Sequence, residues 1–216
     1  MKILVIAPHP DDEVLGCGGS IARHAEAGDD IDLCIVTTTY PPEWDDNFRV
    51  NRDKEIAAAA RILGVKSVYN MALPTVKLDT LPEKDITDAL SAVIRQSSPN
   101  IVYIPFRGDL NLDHRIIHET ALVALRPHIA GTVSLILAYE TLSETEWGLM
   151  EFTPTFYRDI TGQFDKKIAA MEAYASEIRK ENHPRTPSGI EALARLRGSE
   201  VNIRYAEAFV LVRGIY

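Results

Sequence analysis

The sequence predicts an α/β fold with a mainly parallel, doubly wound sheet, and two observations carry that reading. Short apolar, β-branched runs recur at Lys2–Pro8, Ile31–Thr38 and Ile101–Pro105. They are apolar without polar alternation, as expected of strands buried on both faces. Segments with helical periodicity separate them, and strands alternating with helices build parallel βαβ units.

Pro8 bounds the first strand. Gly16-Cys17-Gly18-Gly19-Ser20 permits close backbone approach and hands over to a helix from about Ser20 to Ala27, ended by Gly28. Ile31–Thr38 is the second strand. Tyr40–Asn47 contains prolines and reads as a loop that exposes Trp44. Arg49–Leu63 is helical, with an alanine-rich centre and a stop at Gly64. Val65–Tyr69 is a short strand, followed by a loop through Pro74 and Pro82 and a helix from about Glu83 to Gln96. Ser97-Ser98-Pro99-Asn100 turns the chain into the Ile101–Pro105 strand. The loop Arg107–Asp113 then feeds a helix from about His114 to Leu125, for which Asp113 is a natural N-cap.

Beyond Pro127 the pattern loosens. Val133–Tyr139 and Phe152–Ile160 read as strands, Phe164–Lys180 as an amphipathic helix, and Ala208–Arg213 as a last strand. Glu181–Ser188 is polar and proline-rich, hence a surface loop. No repeat or linker interrupts the 216 residues, so one domain over 1–216 is expected. The layers this implies are α/β/α, a Rossmann-like arrangement.

Bulk properties narrow the function. With 46% hydrophobic and 25% charged residues, the composition is that of an ordinary globular protein. The formal net charge of -8, without any Lys/Arg-rich run, excludes a nucleic-acid surface. Cys17 and Cys34 are the only cysteines, which argues for a reducing compartment rather than a disulfide framework. No run approaches the roughly 20 apolar residues of a membrane span, and the apolar opening has no cleavage-like segment. A cytoplasmic protein is the expectation.

Pro8-His9-Pro10-Asp11-Asp12-Glu13 packs an imidazole and three carboxylates directly behind the first strand. Charges so dense beside a buried strand repel one another unless something neutralises them, and a divalent cation would. In open α/β sheets, ligands bind outside the carboxyl ends of strands at the topological switch point. Asp109, Asn111, Asp113 and His114 follow the Ile101–Pro105 strand, so adjacency of the two strands would merge clusters about 100 residues apart. Catalytic zinc sites take three protein ligands and leave a position for water. His9, Asp12 and His114 supply such a set, while Asp11 remains to accept the water proton. Such a site also accepts iron, cobalt or manganese. Gly16, Gly18 and Gly19 lack the Gly-x-Gly-x-x-Gly spacing of a dinucleotide site. Cys17 reads as a small buried residue.

These motifs resemble the PIG-L/LmbE family of zinc-dependent deacetylases acting on N-acetylglucosamine-containing molecules. The resemblance rests on Pro8-His9-Pro10-Asp11-Asp12-Glu13, Gly16-Cys17-Gly18-Gly19 and the later Asp113-His114. Arg52 and Glu55 with Leu63-Gly64-Val65 are similar to that family's Arg-x-x-Glu helix, and Ala206-Glu207-Ala208-Phe209 to its C-terminal strand. It implies His9, Asp12 and His114 as zinc ligands and Asp11 as general base. It further implies that Arg52 contacts substrate, with a structural pairing to Glu55 or Glu13 as the alternative. Asp113 would orient a neighbouring polar group, Glu13 would support the metal loop, and Glu207, next to Phe209, reads as a buried, paired carboxylate near the site. The implied substrate is a small amino sugar or its conjugate. Oligomeric state stays open, homo-oligomers being common among proteins of this kind.

One departure stands out. Many family members carry His-x-Asp-His in the second motif, where the first His is general acid and oxyanion stabiliser. This chain reads Asn111-Leu112-Asp113-His114. Asn111 can donate to a developing oxyanion but cannot protonate a leaving amine. Asp11 acting in both proton transfers is the favoured reading, with His183, His118 and Tyr139 as fallback acids. An amidase for another N-acyl amine and a non-catalytic metal- or sugar-binding protein are the alternatives.

Overall fold

Among the described residues, seven strands form one sheet: β1 (Lys2–Ala7), β2 (Asp30–Thr38), β3 (Ser67–Pro74), β4 (Ile101–Pro105), β5 (Leu135–Tyr139), β6 (Phe156–Asp159) and β7 (Ala206–Gly214). The computed structural model describes residues 1–180 and 182–215. Strand order is β3-β2-β1-β4-β5-β7-β6. The first five positions are mutually parallel, and β7 runs antiparallel between β5 and β6.

Six helices cover the sheet among the described residues: α1 (Asp12–Glu26), α2 (Asp46–Leu63), α3 (Glu83–Ser97), α4 (Leu112–Ala124), α5 (Phe164–Ala173) and α6 (Pro187–Ser199). Strand alternation sorts them into layers. Ile3, Val5 and Ala7 of β1 pack with α1, α2, α5 and α6, whereas Leu4 and Ile6 face α3 and α4. The sheet is therefore buried on both sides, which is why its central strands carry no polar alternation. No helix among the described residues is long and apolar enough to cross a membrane.

Several boundaries differ from the sequence reading. Helix α1 begins at Asp12, eight residues before Ser20, and absorbs the glycines. They serve packing: a Cβ on Gly16 would meet the Tyr139 ring at 2.2 Å, and one on Gly19 would meet Ile160 at 2.7 Å. The helix kinks at Cys17, whose φ/ψ of -147/22 is non-helical. A kink strands backbone groups. Here buried Glu207 accepts from the N–H groups of Gly19 (2.8 Å) and Ser20 (2.7 Å), while Lys167 donates to the Leu15 carbonyl and to Glu207.

Helix α2 starts at Asp46 because the Asp45 side chain caps it, accepting from the Phe48 N–H. Gly64 ends it in the left-handed conformation at φ 80. Asn111, not Asp113, is the N-cap of α4, its carboxamide oxygen accepting from the Asp113 N–H at 3.0 Å. The Phe152–Ile160 strand shrinks to β6, and the Phe164–Lys180 helix ends at Ala173. Helix α6 has no counterpart in the sequence reading, although Thr186 with Pro187 behind it is an N-cap and first-turn proline pair. The expected Glu181–Ser188 loop thus gives way to helix at Pro187; Glu181 lies outside the described residues.

Candidate metal centre and active site

The order β2-β1-β4 places the switch point between β1 and β4, whose register pairs Ile3 with Ile101 and Val5 with Tyr103. Both strands release their chains on the same edge, so the segment after Ala7 and the segment after Pro105 open into one crevice. The Asp12 N–H and the Val14 N–H fold back onto His9 and Asp11 carbonyls as α1 begins. That turn holds Asp11 at φ 112, ψ -24, a left-handed conformation rare for an aspartate. Buried Glu13 stabilises it, accepting from the Asp11 N–H (3.1 Å) and the Tyr174 hydroxyl (2.6 Å). Burial raises the Glu13 pKa to about 7 despite those donors.

Three donor atoms converge at the crevice. His9 Nδ1 and His114 Nε2 lie 3.1 Å apart, and Asp12 Oδ2 is 3.4 Å from the first and 3.2 Å from the second. Tetrahedral first-row sites with bonds of about 2.0–2.1 Å set donor atoms roughly 3.3 Å apart. The group therefore fits a small divalent ion. Asp12 Oδ1 is also buried without a hydrogen-bond partner, a desolvated oxygen that a cation would satisfy.

Carboxylates brace both rings from behind. His9 Nε2 is 3.0 Å from Asp113 Oδ2, which also accepts the Val76 N–H at 2.7 Å. His114 Nδ1 is 3.0 Å from Asp109 Oδ2, itself an acceptor for the Thr145 hydroxyl. Carboxylate–histidine pairs of this kind fix the tautomer that presents a lone pair to a metal. Without an ion, burial works against charge on His9, but the Asp113 and Asp12 carboxylates prevail and raise its pKa to about 9. For His114 the same opposition ends at about 10, with Asp12 and Asp109 raising it. Burial opposes the Asp12 charge as well, yet the two rings hold its carboxyl far below the usual range.

Asp11 is buried but not part of the converging trio. Burial pushes its pKa well above the ordinary range, against the pull of Arg185. Arg185 Nη1 donates to Asp11 Oδ2 at 2.8 Å. This arginine, placed by sequence in a surface loop, reaches the centre of the site from the turn before α6. No spacing signal ties residues 174 positions apart; only the Thr186-Pro187 helix start marks where that chain re-enters the fold.

A cleft of about 380 Å³ opens over this group, with His9, Asp11 and Asn111 among its lining residues. Trp44, expected to be exposed, is half-buried along the cleft and meets Tyr40 edge-on at 5.8 Å. Arg52 lies on the α2 wall, bonded to Glu55 and Glu177 rather than Glu13. The fallback acids sit elsewhere. His118 donates to the Pro105 carbonyl, Tyr139 to the Ile6 carbonyl, and His183 Nδ1 accepts the Arg185 N–H. Cys17 is buried, with a thiol pKa pushed up by that burial.

The profile of the PIG-L family, described as GlcNAc-PI de-N-acetylase, matches residues 4–125. The chain belongs to the PIG-L family. That span includes His9, Asp11, Asp12, Arg52, Asn111, Asp113 and His114 and stops short of Glu177 and Arg185. Among its PIG-L relatives, an uncharacterized deacetylase, YaiS, from Escherichia coli is 31% identical over 180 residues, covering 81% of this chain and 90% of the relative. The diacetylchitobiose deacetylase of Thermococcus kodakarensis is 26% identical, covering 100% of this chain and 84% of that one. The crystal structure of the conserved protein TT1542 from Thermus thermophilus superposes with a TM-score of 0.80 at 29% identity, covering 100% and 96% of the two chains.

Proposed function

We propose that this PIG-L protein is a zinc-dependent hydrolase that removes the N-acetyl group from an N-acetylglucosamine-type amino sugar or its conjugate. The observation that carries the reading is the convergence of His9, Asp12 and His114 beside an Asp11 that lies outside the trio. Relatives named as deacetylases, one of them for diacetylchitobiose, support the reaction class.

His9, Asp12 and His114 would hold the ion, which when bound lowers the pKa of a water and polarises the acetyl oxygen. Asp113 and Asp109 keep the two rings aimed. Arg185 occupies Asp11 Oδ2, which leaves Oδ1 to take the water proton and return it to the departing amine. Asn111 spends its oxygen on capping α4 and keeps its amino group to donate to the oxyanion developing on the amide carbonyl. Arg52, which lines the cleft, would meet the sugar. The products are acetate and a free amine.

Asp11→Ala should lower turnover at least about a hundredfold and retain bound zinc in stoichiometric amount. Amine release from N-acetylglucosamine derivatives and metal analysis check both; loss of zinc with activity makes Asp11 a ligand instead. Asn111 also favours a second reading, an amidase for a different N-acyl amine with a better leaving group, which needs less help from an acid. A panel of N-acyl amines separates the two.

A further inference from the structure

Asp11 is held at two points, and both lead to one turn of chain. Its N–H donates to Glu13 Oε2 (3.1 Å), and Glu13 Oε1 accepts from the Tyr174 hydroxyl (2.6 Å). Its Oδ2 accepts from Arg185 Nη1 (2.8 Å), and the same Nη1 lies 3.5 Å from Glu177 Oε2. Tyr174 and Glu177 belong to the irregular stretch after α5, which closes on itself as the Glu177 N–H donates to the Tyr174 carbonyl at 2.9 Å. The backbone and the side chain of Asp11 thus each reach this turn through a single intermediary.

Helix α2 anchors the turn from the other side. Glu55 accepts from the Ser176 N–H (3.1 Å) and hydroxyl (2.9 Å), and Arg52 pairs with Glu177. Arg52 lines the cleft, whereas Glu55 is not among the described lining residues. Glu13 and Tyr174 are fully buried, so neither side chain is open to a substrate. A buried carboxylate is costly to desolvate, and both oxygens of Glu13 are committed to holding its neighbours. An aspartate at φ 112 relaxes toward an ordinary conformation unless its surroundings over-determine it. Position matters for the chemistry too, because a displacement of about 1 Å can lower a rate about a hundredfold.

We propose that the Tyr174–Glu177 turn, anchored on α2 by Glu55, is a clamp that keeps Asp11 in its left-handed conformation for proton transfer. Tyr174 and Glu55 are then positioning residues, acting on Asp11 through Glu13 and Arg185 and not on the substrate. The proton-transfer part rests on the reading of Asp11 as general base; the holding of its backbone does not.

Melting and kinetics of the full chain test the two parts separately. Glycine adopts φ 112 at no steric cost and alanine does not. Asp11→Gly therefore melts about 2–4 °C above Asp11→Ala. Adding Tyr174→Phe to both lets the backbone relax and closes that gap. Equal melting of Asp11→Gly and Asp11→Ala, or a gap that survives Tyr174→Phe, overturns the clamp. In turnover of N-acetylglucosamine or diacetylchitobiose, Tyr174→Phe lowers kcat about tenfold while KM changes by less than about twofold. In the Asp11→Ala background the same substitution leaves the residual rate unchanged, because it acts only through Asp11. An effect confined to KM, or losses that multiply in the double variant, overturns the positioning role. If Tyr174→Phe does not fold, Ser176→Ala on exposed chain takes its place in both comparisons, with a loss of about threefold in kcat. The expected melting pattern without turnover of either sugar refutes the deacetylase reading and leaves the clamp standing.

Discussion

His9 and His114 carry a pH signature opposite to that of ordinary carboxylate pairs. In the metal-free protein their pKa values are raised to about 9 and about 10, above the 6.5 of a free imidazole. Groups raised on folding stabilise fully below the unfolded pKa and cease to as pH climbs through the folded one. Metal-free protein should therefore lose stability between about pH 6.5 and 10, read as a falling Tm. A zinc ion bound to both rings would hold them neutral across that range, and the zinc-loaded protein should then not show that decline. The same linkage makes zinc affinity fall as the solution is acidified. His9, Asp12 and His114 are legible as one group because His and Asp crowded behind a buried strand are costly to desolvate unless an ion neutralises them. Arg185 and Glu177 are not, because they meet their partners only through the packing of a segment that has no periodic pattern.

Helix α1 shows how far an element can depart from its local signals. Clustered glycines read as a loop, since Gly lowers helix propensity by about 1 kcal/mol each, yet tertiary packing overrides that preference. Gly16→Ala should destabilise by about 1–3 kcal/mol, because its methyl would stand 2.2 Å from the Tyr139 ring. Urea unfolding measures the loss, and metal content of the folded fraction shows whether the start of α1 is displaced with it. Strands β1, β2 and β4 are legible because burial on both faces demands apolar runs. Strand β6 is shorter than its residues suggest, since Phe152–Thr155 is strand-like in composition without ladder partners throughout. Helix α6 escapes notice because its start lies inside a proline-rich stretch.

At the scale of the whole molecule, the site belongs to the sheet rather than to any one segment. Binding an ion only in the folded state adds stability of about RT ln(1 + [L]/Kd), roughly 2.7 kcal/mol at a hundredfold excess over Kd. A chelator should thus lower the Tm of zinc-loaded protein toward that of His114→Ala, and thermal melts with and without added zinc check it.

The β1–β4 pairing has one more consequence, for the time course of folding. The proposed ligands come from the two sides of a contact that spans 105 positions of chain, from His9 to His114. Non-local pairings of that kind close late, after local helices have formed. A refolding chain would carry two half-sites, each too weak to retain zinc, until β4 docks against β1. Zinc uptake in a stopped-flow experiment should then follow the slowest sheet-forming phase, so the ion acts as a reporter on assembly of the central strands.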